Sequence, residues 1–125
     1  MKDELIQAAK KAKGNAYAPF SGYAVGAAVL SEAGVSSGCN VENASYGLTV
    51  CAERNAIAAM VLAGGKRIMA CAVATCDGKP PCGACLQVLA EFATNAQDCA
   101  IYLASDNGEV SERKLSELMP SAFRL

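Results

Sequence analysis

The chain of 125 residues is long enough for one domain with a single hydrophobic core. Its 11 basic and 12 acidic residues give a net charge of −1, which argues against a nucleic-acid-binding protein or one that binds anionic membranes. Apolar residues make up 53% of the chain, but no apolar run approaches the roughly 18 residues that cross a bilayer. We therefore expect a single domain over residues 1–125, with part of the apolar content serving a subunit interface.

The predicted elements alternate between helix and strand. Residues 2–13 carry apolar side chains at helical spacing, and Gly14 ends that helix. The later predicted elements are strands at 24–31 and 35–40, a helix at 51–63, a strand at 68–75, a helix at 82–93, a strand at 99–103 and a helical turn at 114–118. This order predicts an α/β layered domain around a mixed sheet whose first two strands form a hairpin.

Cysteine is the most informative residue type in this sequence. The chain has seven cysteines and no histidine, so any metal site must use sulfur or carboxylate ligands. The amino terminus is charged and amphipathic, without the apolar core of a secretion signal. These features predict a reducing, cytoplasmic location in which the thiols are ligands, nucleophiles or core residues.

Three of the cysteines are predicted to open helices. Cys51 begins the helix at 51–63, and Cys82 and Cys85 lie in the first turn of the helix at 82–93. The unpaired N–H groups of a helix start favour the thiolate, which is the form that binds zinc. Three protein ligands plus a water are typical of a catalytic zinc site, whereas four protein ligands make a closed structural site.

Two charged residues follow Cys51. Glu53 is predicted to face a water activated by the metal and to move its protons without being a ligand. Three thiolates carry more negative charge than zinc neutralises, so Arg54 is predicted to donate hydrogen bonds to the sulfurs.

Two other interpretations stay open for the Cys82/Cys85 pair on its spacing. A Cys-x-x-Cys pair at a helix start is also typical of a thioredoxin-like redox dithiol. Alternatively, Cys76 could be a fourth ligand, which would make the chain a structural zinc-binding module and not an enzyme. Neither interpretation gives Glu53 a role.

The segments "CAERNAI" and "PCGAC" together resemble the small cytidine deaminases, zinc-dependent enzymes that convert cytidine to uridine. Three more segments resemble that family in the same order, namely "YAPFSGYAVGAAV", "GCNVENASYGL" and "LMPSAF". The resemblance implies a three-layer α/β/α domain with a mixed five-stranded sheet. It also implies hydrolytic deamination of cytidine or deoxycytidine to the uracil nucleoside, with release of ammonia, in pyrimidine salvage.

The resemblance implies a zinc centre in which each matching residue has a role. Cys51, Cys82 and Cys85 would hold one Zn2+ per chain. Glu53 would be the catalytic residue that deprotonates the zinc-bound water, protonates the ring nitrogen and helps ammonia to leave. Arg54 keeps the supporting role beside the sulfurs.

The resemblance also implies a set of substrate-binding residues. They are Tyr23, Asn40, Glu42, Ala44, Tyr46 and Phe123. Tyr23 matches an aromatic residue beside the nucleoside, and Asn40 and Glu42 match residues that bind the ribose hydroxyls. Ala44 and Tyr46 match positions that reach a neighbouring subunit's site, and Phe123 matches an aromatic residue near the base. The implied assembly is a homotetramer with shared active sites.

Two positions depart from the family's pattern. Asn55 stands where the family often has Thr, and Leu86 stands where it usually has Arg. Leu86 removes a cation close to the zinc-binding helix, which bears on subunit contacts and on substrate preference. A modified cytosine nucleoside or an antibiotic with a cytosine head is therefore the alternative substrate.

Overall fold

A computed structural model describes the whole chain, Met1–Leu125. The helices are α1 (Lys2–Lys13), α2 (Ala52–Leu62), α3 (Gly83–Phe92) and α4 (Leu115–Leu118). The strands are β1 (Gly26–Ser31), β2 (Gly34–Cys39), β3 (Ile68–Ala74), β4 (Ala100–Ala104) and β5 (Val110–Lys114). Every element predicted from the sequence is present within about two residues of its predicted bounds, and β5 is an addition. None of the helices combines the length and the apolar character that a membrane span requires.

The five strands form one mixed sheet in the order β2-β1-β3-β4-β5. Strands β3 and β4 are parallel and α3 crosses between them, whereas every other neighbouring pair is antiparallel. The β1–β2 hairpin is confirmed, with Gly26 opposite Cys39 and Ser31 opposite Gly34. Because β1 and β3 are antiparallel neighbours, the loop after β3 and the start of α3 lie at the same end of the sheet as the start of β1.

Helices cover both faces of the sheet and produce the three layers. On one face, α1 packs Leu5, Ile6 and Ala9 against alanines of β1, β3 and β4. On the other face, α2 and α3 enclose the larger core, in which Met60, Leu89 and Ile101 are completely buried or nearly so. The three-layer α/β/α architecture is thus confirmed.

A close approach at Gly38 fixes the position of α2. A Cβ atom added there would lie 2.5 Å from the Ala56 nitrogen of α2, so only glycine allows the helix to rest on β2. The Asn55 side chain adds a hydrogen bond from Nδ2 to the carbonyl oxygen of Cys39, at 2.8 Å. Asn55 therefore anchors the first turn of α2, which carries Cys51 and Glu53, to the end of β2.

Candidate metal centre and active site

Three cysteine sulfurs converge where α2 and α3 begin. Cys51 is the N-cap residue of α2 and Cys82 is the N-cap residue of α3, so both side chains lie at helix N-termini. Cys85 follows on the first turn of α3 and is completely buried. The three Sγ atoms lie within 4.8 Å of one another and form a group that could hold a metal ion.

The spacing of the sulfurs fits a zinc ion. Cys51 Sγ lies 4.0 Å from Cys82 Sγ, and Cys82 Sγ lies 3.5 Å from Cys85 Sγ. Two sulfurs at 2.3 Å from one tetrahedral ion would lie about 3.8 Å apart. Cys82 is exposed, so the group is open on one side. All-sulfur ligands with one open side suit a catalytic zinc ion better than a hard cation such as Mg2+.

The electrostatics of the group favour a bound cation. Hydrogen bonds from Cys85, Arg54 and Cys82 lower the pKa of Cys51 to about 5, so this sulfur is a thiolate at neutral pH. The hydrogen bond to Cys51, together with burial, raises the pKa of Cys85. A dication at the centre would deprotonate the remaining thiols and balance the charge.

Arg54, on α2, contacts the sulfur group. Its Nη2 lies 3.5 Å from Cys51 Sγ and 3.5 Å from the Thr49 carbonyl oxygen. Its Nε is buried without a hydrogen-bond partner. Leu86 is 7% exposed and packs in the core between the sheet and helices α2 and α3. Arg54 is the only cationic side chain that hydrogen-bonds to one of the three sulfurs.

Glu53 lies in a cavity of about 400 Å³ beside the sulfur group. Cys51 and Cys82 line the same cavity, so the carboxylate and the open side of the metal group face one space. Glu53 is only 4% exposed, and its burial raises the pKa of the carboxyl group. A raised pKa suits a group that must both accept and release a proton near neutral pH.

Asn40 and Tyr23 line this cavity and are held rigidly. Asn40 Oδ1 accepts a hydrogen bond from the Val25 nitrogen at 2.9 Å, and Asn40 Nδ2 donates to the Tyr23 carbonyl oxygen at 2.8 Å. The Tyr23 hydroxyl donates to Asp77 Oδ1 at 2.6 Å. Burial and this bond to Asp77 raise the pKa of Tyr23 to about 12, so the phenol stays protonated.

Glu42 forms the outer wall of the cavity. Its Oε1 accepts hydrogen bonds from the Phe20 nitrogen at 3.0 Å and the Ser21 nitrogen at 3.1 Å, and its Oε2 accepts one from the Ser21 hydroxyl. These bonds, the hydroxyl first, lower the pKa of Glu42, so the carboxylate is ionised. A carboxylate with further acceptor capacity at a cavity mouth is suited to bind hydroxyl groups.

The structure does not bring the three other predicted substrate-binding residues into this cavity. Ala44 is exposed, and Tyr46 is 77% exposed with its ring edge-to-face against Phe20 at 6.2 Å between centroids. Phe123 is 70% exposed and lies beside α3. All three are thus on the surface of the single chain.

Sequence reasoning missed several residues around the site. Thr75 and Lys79, from the loop after β3, line the cavity. Gln87 on α3 holds the carboxy-terminal tail by two bonds, from Nε2 to the Phe123 carbonyl oxygen at 2.9 Å and from the Phe123 nitrogen to Oε1 at 3.2 Å. No local pattern identifies Gln87, because it acts through a partner 36 positions away. Thr75 and Lys79 carry no motif of their own, and only the fold places them at the cavity.

Two features of the structure bear on the alternative interpretations. Cys76 is exposed and lies outside the three-sulfur group, so the structure offers no fourth cysteine to close the site. The largest cavity, about 590 Å³, lies at the opposite end of β3 beside Arg67 and Ile68. That cavity contains none of the three grouped cysteines, so the smaller cavity at Glu53 is the candidate active site.

Residues 1–102 match the family model of the cytidine and deoxycytidylate deaminase zinc-binding region. The chain belongs to this deaminase family. Its zinc-binding region contains the three-cysteine group, which can hold one zinc ion. Family membership therefore favours the catalytic zinc site over the redox dithiol and the structural zinc module.

Named relatives and solved structures agree with membership of the deaminase family. A cytidine deaminase from Halalkalibacterium halodurans is 46% identical over 95% of this chain and 91% of the relative. A cytidine deaminase from Sporosarcina psychrophila is 42% identical over 97% of this chain and 90% of the relative. The crystal structure of cytidine deaminase from Burkholderia pseudomallei superimposes with a TM-score of 0.90 at 41% identity, over 98% of this chain and 99% of that one.

Proposed function

We propose that the chain catalyses the hydrolytic deamination of cytidine and deoxycytidine, consuming water and releasing ammonia, as an enzyme of pyrimidine salvage. The observation that carries this proposal is the buried Glu53 carboxylate in the same cavity as the open side of the three-sulfur group. That combination supplies a metal-binding face and a proton carrier to one small, preformed space. Residues 1–125 act as a single deaminase domain in this proposal.

The three sulfurs of Cys51, Cys82 and Cys85 would hold the metal. When bound there, a zinc ion would supply Lewis-acid chemistry, lowering the pKa of a water molecule so that it could attack C4 of cytosine. Glu53 accepts a proton from the attacking water and delivers it to N3 of the base. It then takes the remaining proton from the hydroxyl group now on C4 and delivers it to the amine, so that the C4–N bond breaks, the C4 carbonyl forms and ammonia leaves. Arg54 donates its hydrogen bond to Cys51 and offsets the excess negative charge.

The nucleoside is held by the walls of the cavity. Tyr23 is the only aromatic residue among its lining residues and packs beside the base. Asn40, whose amide retains an unused N–H, and Glu42 bind the ribose hydroxyls. The cavity volume of about 400 Å³ suits a single nucleoside.

The direct test is to incubate the zinc-loaded protein with cytidine and follow the loss of cytosine absorbance, with uridine and ammonia measured at the end. We expect equal amounts of uridine and ammonia, with deoxycytidine as a second substrate. Loss of neither nucleoside by a protein that carries one zinc per chain would contradict the proposed substrates. Turnover of another cytosine nucleoside would then assign the substrate.

Glu42→Gln is expected to raise KM for cytidine about tenfold with little change in kcat. The variant keeps the shape of the side chain but replaces a charged acceptor by a neutral one, and hydrogen bonds to charged groups are roughly twice as strong. Glu32→Gln is a matched control, since Glu32 Oε1 also accepts two backbone N–H bonds but lies at the far cavity. Steady-state kinetics with an unchanged KM in Glu42→Gln would remove Glu42 from the ribose site.

The proposed enzyme is a cytoplasmic homotetramer in which sites are shared between chains. The exposed aromatic residues Tyr46 and Phe123 support this assembly, because they lie outside their own chain's cavity and are free to reach that of a neighbour. All seven cysteines are free thiols, which is consistent with a reducing compartment. Light scattering is expected to give four times the mass of one chain.

Shared sites predict complementation between two defective variants. Phe123→Ala and Glu53→Gln are each expected to form weakly active or inactive tetramers. When the two variants are unfolded, mixed and refolded together, the hybrid tetramers are expected to show more activity than the two separate variants combined. The reason is that some of their sites combine Glu53 of one chain with Phe123 of its neighbour. Hybrid tetramers with no regain would place Phe123 outside the neighbouring site.

A further inference from the structure

The loop between β3 and α3 crosses the mouth of the candidate active site. Thr75 and Lys79 of this loop line the cavity together with Asn40 and Glu42, and the loop leads directly into Cys82. Gly78 has a φ of +73°, a conformation that lets the chain reverse direction within a few residues. This loop therefore forms part of the cavity wall.

Asp77 connects the parts of this loop to one another. Its Oδ1 accepts hydrogen bonds from the Thr75 hydroxyl at 3.4 Å and the Lys79 nitrogen at 3.4 Å, and its Oδ2 lies 3.7 Å from Lys79 Nζ. The Thr75 Oγ1 in turn accepts a bond from the Gly78 nitrogen at 2.7 Å. A single carboxylate thus organises the turn.

The same carboxylate also binds Tyr23, which lies in the loop before β1. The Tyr23 hydroxyl donates to Asp77 Oδ1 at 2.6 Å, across 54 positions of sequence. The Tyr23 backbone is held by Asn40 Nδ2 at its carbonyl oxygen and by Ser21 Oγ at its nitrogen. The ring is therefore fixed at both ends, with its face left as a wall of the cavity.

We propose that Asp77 is a positioning residue for nucleoside binding, which acts by holding the Tyr23 ring and the Thr75–Lys79 turn in the geometry that accepts the base. This inference rests on the proposed function of the cavity as a nucleoside site. It assigns the hydroxyl of Tyr23 a role distinct from that of its ring. Asp77 touches neither the substrate nor the metal, so it affects binding more than the chemical step.

The test compares Tyr23→Phe, Asp77→Ala and the double variant in the zinc-loaded enzyme. Tyr23→Phe keeps the ring and removes only the donor, so we expect KM for cytidine to rise about 2- to 13-fold, the range of one hydrogen bond of ordinary strength, while kcat changes less than about twofold. Asp77→Ala is expected to have a similar effect. The double variant is expected to be little worse than either single variant, since both remove the same interaction.

Two controls separate positioning from a general loss of structure. Asp77→Asn keeps an acceptor oxygen for the Tyr23 hydroxyl and is expected to restore most of the wild-type KM. Asp98→Ala also removes an exposed aspartate that accepts a side-chain hydrogen bond, but beside the far cavity, and is expected to leave KM unchanged. Zinc content and melting temperature are expected to match the wild type in all variants.

Three results would contradict the positioning role of Asp77. A wild-type KM in both Tyr23→Phe and Asp77→Ala would overturn it, as would fully additive effects in the double variant or a fall in kcat alone. In all of these cases the wild-type enzyme still deaminates cytidine, so the proposed function stands. A wild-type protein with no activity on any cytosine nucleoside would overturn the proposed function and this inference together.

Discussion

A Glu53→Gln variant is expected to bind one zinc per chain and to lose at least 10²–10⁴-fold in kcat, the range typical of a positioned acid–base group. The amide has the shape of the carboxylate but cannot accept a proton from water or pass it to the base. The cavity places Glu53 beside Cys51 and Cys82, where the proton must move over a short distance. Stopped assays with purified zinc-loaded protein measure the loss.

The melting temperature distinguishes this chemical role from a structural one. Glu53 is 4% exposed, and burial raises its pKa because the charged form is poorly solvated there. The neutral amide removes that penalty, so the variant is expected to melt no lower than the wild type. Glu4→Gln, an exposed position in the first turn of α1, is the matched control and is expected to keep full activity. Near-normal turnover of Glu53→Gln would remove Glu53 from the mechanism.

The fold was predictable to the extent that its elements carry their own patterns. The helix at α1 and the buried strand β3 have clear periodicity or a continuous apolar run, and both were found in the structure. Strand β5 was missed from the residue pattern because all five of its residues are exposed, so it lacks alternation between buried and polar positions. It forms by pairing with β4 at the sheet edge, a contact between strands that local sequence does not encode.

The metal group was predictable because its chemistry is tied to position in the helices. Cysteines at the starts of α2 and α3 come together once both helices pack on the same face of the sheet. Other residues at the site could not be predicted from the sequence, because their roles depend on contacts with residues distant in sequence. Asp77 and Gln87 act through Tyr23 and Phe123, which lie 54 and 36 positions away, so nothing near them in sequence marks their roles.

The structure gives a packing role to each of the two residues that depart from the family's pattern, Asn55 and Leu86. Asn55, where the family often has Thr, bonds to the Cys39 carbonyl oxygen and holds α2 on β2. Leu86 packs in the core, where an arginine would have to bury its charge or extend past it. Arg54 is therefore the cation that offsets the negative charge of the sulfurs. The sequence alone does not show this, because it does not show that Leu86 is buried in the core.

Cys85→Ser is expected to lose zinc, activity and stability together. Cys85 is completely buried and its sulfur lies 3.5 Å from that of Cys82, so serine leaves two thiols and a buried hydroxyl where three sulfurs met. Zinc that binds only the folded state stabilises it by mass action, and structural zinc affinities in small domains are about 10–16 kcal/mol. We expect the variant to fold poorly or to melt well below the wild type, with zinc content near zero by metal analysis.

Two matched cysteines separate the loss of zinc from the cost of the substitution itself. Cys71 is as deeply buried as Cys85 but lies outside the sulfur group, so Cys71→Ser is expected to lower the melting temperature modestly with full zinc content. Cys76→Ser, at an exposed position, is expected to change neither. Wild-type protein stripped by a chelator is expected to melt near Cys85→Ser and to recover on addition of zinc, whether or not that variant can be purified. A Cys85→Ser protein with full zinc content and an unchanged melting temperature would leave Cys51 and Cys82 as the only sulfur ligands, and the metal would then need an oxygen ligand from the cavity.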